Sequence, residues 1–286
     1  MRHLGTTGLA LLVGLLLAAT AQADMLLLKD GRIIERPKME PVEEGVKVHF
    51  ENGEILVPAD RIEAALIENA PPFVPKTPEE KEKLESGLVP FEGKWIKQSK
   101  RDRLIEKRIE ERKEFLAEVK EHSLWRNRWQ EKTKHFQFEY TVTPTIAEYY
   151  KDLMEAYYKA FAKDWKVGQP KDLGRLKVCF YINRSDFHQI GGAGGGTLAY
   201  FRFVKPLELN FFYDRLDPAL TEQVMYHEAN HYLQYLLNPE FNMPHFPSEA
   251  LAEYYGASVF DPKTKKLVTG QVLEGRLTEI QLDVLN

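Results

Sequence analysis

Two histidines four residues apart, in the string His227-Glu228-Ala229-Asn230-His231, set the tightest limit on how this chain can fold. The string lies between Asp217-Pro218, a cap followed by proline at a first helical turn, and Asn238-Pro239, which a helix does not pass. A helix is predicted between these marks, and residues four apart on a helix lie one turn along the same face. Both imidazoles therefore face the same way and can reach one metal ion. Glu228, offset around the helix, stands where a carboxylate can take a proton from a water held by that metal.

A second segment supplies a third ligand. In Pro247-Ser248-Glu249-Ala250-Leu251-Ala252-Glu253-Tyr254-Tyr255-Gly256, Ser248 reads as an N-cap and Gly256 as a terminator. The seventeen residues between His231 and Glu249 leave room for the end of one helix, a loop and an antiparallel return. Two neutral imidazoles and one carboxylate leave a fourth tetrahedral position for water, which is the requirement of a catalytic zinc ion, Zn2+. Glu253, one turn beyond Glu249, is placed to accept the outer N–H of a ligand histidine and fix its tautomer. His245 and Glu240 are the alternative ligands. For an oxyanion donor the sequence offers Tyr254 and Tyr255, with Tyr200 and His245 behind them.

The single cysteine narrows the remaining options. Cys179 can form neither an internal disulfide nor a Cys-rich zinc module, so a hydrophobic core must hold the fold. It sits in a strand-like run, Leu176 to Ile182, and reads as a small buried hydrophobe. The net charge of −4 gives no general attraction to nucleic acid or to an anionic membrane.

The chain divides by composition. Arg2 and His3 precede an apolar run, Gly8 to Ala19, and then Ala21-Gln22-Ala23, so residues 1–23 read as a cleavable signal peptide cut after Ala23. The run is shorter than the ~20 residues of a membrane span, and a secreted or periplasmic protein without stable membrane insertion is expected. Residues 24–68 show two hairpin signals, Asp30-Gly31 and Asn52-Gly53, and suggest a small SH3-like or Sm-like β-barrel that binds a protein partner. Residues 69–80 are a Pro-rich linker and 81–134 a charged helical connector. Between Lys100 and Lys134 twelve basic and eight acidic side chains interleave, which favours a solvated helix over a nucleic-acid arm. From residue 135 strands and helices alternate: a strand at 135–142, a helix from Thr143-Pro144 to about Trp165, the strand around Cys179, a glycine cluster at 191–196 read as a flap or a surface loop, and strands at 197–203 and 207–213. The class is α+β. Leu277 to Asn286 read as an amphipathic helix barely begun, so the domain spanning 135–286 is expected to be incomplete at its C-terminus.

His227, Glu228 and His231, followed by Ser248-Glu249-Ala250-Leu251-Ala252-Glu253-Tyr254, resemble the gluzincin group of zinc metallopeptidases. More narrowly, their order is similar to the peptidase MA-like domains of uncharacterised secreted bacterial proteins. The resemblance covers roughly residues 135–260 and implies zinc-dependent cleavage of a peptide or protein substrate. It also implies a strand before the active-site helix that pairs with extended substrate, here Leu207 to Tyr213. The ligand spacing is one residue shorter than in aminopeptidase-type gluzincins, and Ala250 replaces their usual Gly. Metzincins are excluded, because Gln234 and Leu237 stand where their Gly and third His would be. The alternative function is a non-catalytic secreted binding or scaffold protein that retains a metallopeptidase-like fold.

Overall fold

Gly31 turns the chain with φ +81° and Gly53 with φ +150°, backbone angles that side chains disfavour. In the computed structural model, residues 24–36, 38–67, 73–91, 93–168, 174–237 and 243–273 are described, together with residues 277, 278, 281, 282 and 284. The predicted signal peptide, part of the Pro-rich linker and Glu240 lie outside the described residues.

The N-terminal unit has six strands: β1 (Asp24–Leu28), β2 (Ile33–Arg36), β3 (Met39–Val42), β4 (Gly45–Phe50), β5 (Gly53–Pro58) and β6 (Ile62–Leu66). They form two antiparallel sheets in the orders β2-β1-β6 and β3-β4-β5. Leu26, Leu28, Met39, Val46, Val48 and Val57 cluster in one buried core shared by the two. This corrects the expected barrel, because no ladder joins the sheets among the described residues. After Pro58, which has no N–H to extend a ladder, a single 3-10 turn, Ala59–Arg61, carries the chain from one sheet into the other.

The Pro-rich linker ends sooner than expected. Thr77 caps α1 (Pro78–Glu85), its hydroxyl accepting from Glu80 N–H while the Glu80 carboxylate accepts from Thr77 N–H. A hairpin, β7 (Leu88–Phe91) and β8 (Lys94–Lys97), leads into α2 (Gln98–His122). The charged helix therefore stops twelve residues before Lys134. The apolar stripe of α2 ends at Val119, and Trp125 stacks instead on Tyr181, ring centroids 4.2 Å apart. Leu116 and Val119 pack on Leu27 and Leu66, which seats α2 on the first sheet. The connector is thus a helix, a hairpin and a second helix.

The larger unit begins earlier than residue 135, at β9 (Trp129–Lys132). There follow β10 (Phe136–Tyr140), α3 (Pro144–Trp165), β11 (Leu176–Tyr181), α4 (Arg184–Gln189), β12 (Ala199–Arg202), β13 (Glu208–Phe212), α5 (Pro218–Leu237), α6 (His245–Gly256), and the hairpin β14 (Val259–Asp261) and β15 (Lys266–Val268). The sheet order is β12-β13-β11-β10-β9, parallel in the middle and antiparallel at both edges. The α+β class holds. Strand alternation sends Phe136, Phe138, Phe180, Phe201, Leu209 and Phe211 into one core with α3 and α5. The reverse face carries charge, which it neutralises in a ladder. Glu139 pairs with Arg128 at 2.6 Å and Lys177 at 3.3 Å, and Glu208 with Lys177 at 3.1 Å and Arg202 at 2.9 Å.

Cys179 lies on that reverse face and is buried, as expected. Burial pushes its thiol up to about 12. Native protein is therefore expected to react with a thiol reagent at neutral pH about 10^3-fold or more slowly than the chain in denaturant, because reaction needs an opening event. Comparable rates in a thiol-labelling time course would refute the burial. Among the described residues no helix is long and apolar enough to cross a membrane.

Candidate metal centre

Asp217 starts α5 as the sequence predicts, its carboxylate accepting from Leu220 N–H at 3.0 Å with Pro218 in the first turn. Met225, Tyr226, Ala229, Tyr232 and Leu233 bury the inner face of the helix. Tyr226 meets Tyr157 of α3 edge-on at 5.2 Å, and Tyr232 meets Phe201 of β12 at 6.1 Å. That packing leaves His227 and His231 on the flank against which α6 lies.

Three donors converge there. His227 Nε2 is 3.1 Å from one Glu249 oxygen, and His231 Nε2 is 3.7 Å from the other. All three residues offer ligand atoms within 4.8 Å of one another, the one such group among the described residues. Ligand atoms ~2.1 Å from a tetrahedral zinc lie ~3.4 Å apart, so the two measured separations straddle the required value. The donor set, two imidazoles and a carboxylate, therefore fits the ion. Burial holds the pKa of His231 below the ordinary histidine range, which favours the neutral, ligating form.

Glu253 Oε1 lies 3.5 Å from His227 Nδ1, as the one-turn spacing from Glu249 predicts. Glu228 projects from α5 toward β12, where its carboxylate accepts Phe201 N–H at 3.0 Å. Burial raises its pKa above the usual carboxylate range, and the nearby Glu249 charge adds to this. His227 and the Phe201 N–H act in the opposite direction.

No protein-family model, curated protein or solved structure matches this chain.

Other predicted residues fall elsewhere. Tyr255 donates its hydroxyl to Asp164 at 3.0 Å and accepts from Trp165 Nε1 at 3.2 Å, at the far end of α3. Tyr254 is half exposed and lies beside Gly270. Five and six residues beyond Glu249, the two tyrosines are rotated about 140° and 240° from it around the helix, off the ligand face. Neither is an oxyanion donor in this arrangement. Tyr200 projects to the reverse face of the sheet, where it donates to Gly191 O at 2.6 Å. The glycine cluster is tied to that face as well, with Ala193 O 3.0 Å from His188 Nδ1. His245 is close, 3.9 Å from Glu249, but its side chain is 90% exposed and outside the three-donor group.

Two local expectations are also corrected. The strand nearest the site with a free side is β12, because β13 is paired on both sides, by β11 and β12. Ser248 is not an N-cap: α6 begins three residues earlier, at His245, and the Ser248 hydroxyl is free to face α5. Sequence reasoning missed Phe201, whose role is played by its backbone and leaves no mark in the side-chain sequence. It also passed over Gln234 and Asn230. Their four-residue spacing on α5, one turn from the histidines, was the available signal.

Proposed function

We propose that this chain is an exported, gluzincin-like, zinc-dependent hydrolase of peptide bonds, with His227, His231 and Glu249 as ligands and Glu228 as general base. The observation that carries the reading is the convergence of three donors from α5 and α6 beside a half-buried carboxylate, Glu228. When bound, zinc lowers the pKa of a water to ~7 and polarises a carbonyl oxygen. Glu228 takes the proton of the attacking water on its carboxylate and passes it to the leaving amine nitrogen. Glu253 orients His227 from Nδ1. An extended peptide or protein substrate has the outer edge of β12 to pair with.

Export rests on residues 1–23. Cleavage after Ala23 leaves Asp24 as the first residue, and Asp24 already belongs to β1, its buried carboxylate accepting from Met39 N–H at 2.8 Å. The small N-terminal unit is then available to a protein partner. A second reading, a non-catalytic binding protein, is favoured by one observation: neither Tyr254 nor Tyr255 faces the ligands.

Metal analysis of the purified chain tests the site. One zinc per chain is expected in the wild type and in His245→Ala, and a loss of at least ~100-fold in affinity in Glu249→Ala. Zinc retained by Glu249→Ala would overturn the ligand assignment.

A further inference from the structure

We infer that Gln234 fixes the metal-facing tautomer of His231, acting through Ser248 as a positioning residue of the zinc site. The inference rests on the zinc reading above and follows from the direction of one hydrogen-bond chain. Gln234 Nε2 lies 2.9 Å from the backbone oxygen of Ser248 and 2.7 Å from Asn230 Oδ1. A backbone carbonyl only accepts, so the nitrogen of the Gln234 amide must be the atom that faces it. The other end of that amide is then its oxygen, which only accepts. It lies 2.7 Å from Ser248 Oγ, so the hydroxyl proton of Ser248 points to Gln234.

With that proton committed, Ser248 Oγ offers lone pairs alone to His231 Nδ1, 3.3 Å away. His231 must carry its proton on Nδ1, and its Nε2 lone pair is left facing Glu249 and the ion. Neutral imidazole in water favours the opposite tautomer, with the proton on Nε2, so the chain works against the intrinsic preference. The far end is equally determined. The second Gln234 N–H satisfies Asn230 Oδ1, and Asn230 Nδ2 donates to Tyr157 OH at 2.7 Å. Asn230 and Tyr157 are fully buried and Gln234 nearly so, which keeps the amides out of bulk solvent. Three helices, α3, α5 and α6, thus hold one proton in place.

The test uses the full chain labelled with 15N-histidine, metal-free, above pH ~8 where histidine is neutral. Long-range 1H–15N correlation is expected to show His231 protonated on Nδ1. In Gln234→Met, which keeps the volume but removes the amide, the Ser248 hydroxyl is free to turn and donate, and His231 is expected to shift to the Nε2–H form. Zinc affinity, measured with zinc alone against a competing chelator, is expected to fall about 10- to 100-fold. The tautomer of His227 is expected to stay unchanged. Should Gln234→Met not fold, Ser248→Ala gives the same readout with a smaller disturbance. His231 found as Nε2–H in the wild type, or kept as Nδ1–H in either folded variant, would overturn the inference. A wild-type chain that takes up no zinc would instead sink the proposed function, while the metal-free tautomer still decides this one.

Discussion

Glu228→Gln is expected to slow peptide-bond hydrolysis by about 10^2- to 10^4-fold, the usual contribution of a positioned general base, while zinc content stays at the wild-type level. The amide keeps the size of the carboxylate and can still accept Phe201 N–H through its oxygen, so the fold is preserved. What it cannot do is take a proton at neutral pH. Because Glu228 is not among the three convergent donors, its loss separates chemistry from metal binding. The comparison is made on kcat/KM against an unfolded protein substrate, with metal content measured on the same samples. Equal rates in the two proteins would remove Glu228 from the mechanism. Full zinc with no activity in either would select the non-catalytic reading.

Phe180→Ala is expected to destabilise the larger unit by about 3–5 kcal/mol. Phe180 is fully buried in β11, stacked on Phe211 at 4.4 Å and 4.8 Å from the Tyr150 ring of α3. Truncation removes aromatic contacts on both sides and leaves a cavity between sheet and helix that neither can collapse to fill. At roughly 2–4 °C per kcal/mol for a unit of this size, Tm should drop by about 6–20 °C. A change in denaturation midpoint equivalent to less than about 1 kcal/mol would show that the sheet and α3 are not packed as described.

How much was legible follows from which interactions are local. Thr143-Pro144 announces α3, and the helix starts at Pro144 because a cap acts within one turn, Thr143 accepting from Ile146 N–H. Asp217-Pro218 does the same for α5. That His227, His231, Glu249 and Glu253 come together was legible through helical periodicity. The N-terminal unit was misread because barrel closure depends on ladders between distant strands, and two glycine turns specify hairpins without specifying how they join. Tyr254 and Tyr255 have the residue type of an oxyanion donor, but their angle around α6 carries them off the ligand face. The Ser248 contact escaped because α6 begins at His245, with Pro244 before it and no side-chain cap to mark the start.

The bond between Glu228 and Phe201 also bears on the margin of the sheet. β12 is the outermost strand of its sheet, and the row of N–H groups along such a margin invites any passing extended chain to add itself. A carboxylate seated on one of those donors withdraws it from use and sets a negative charge at the boundary. The sheet is thereby guarded against uncontrolled self-assembly by the same side chain that would serve the reaction, and a newcomer must offer a better acceptor before it is admitted.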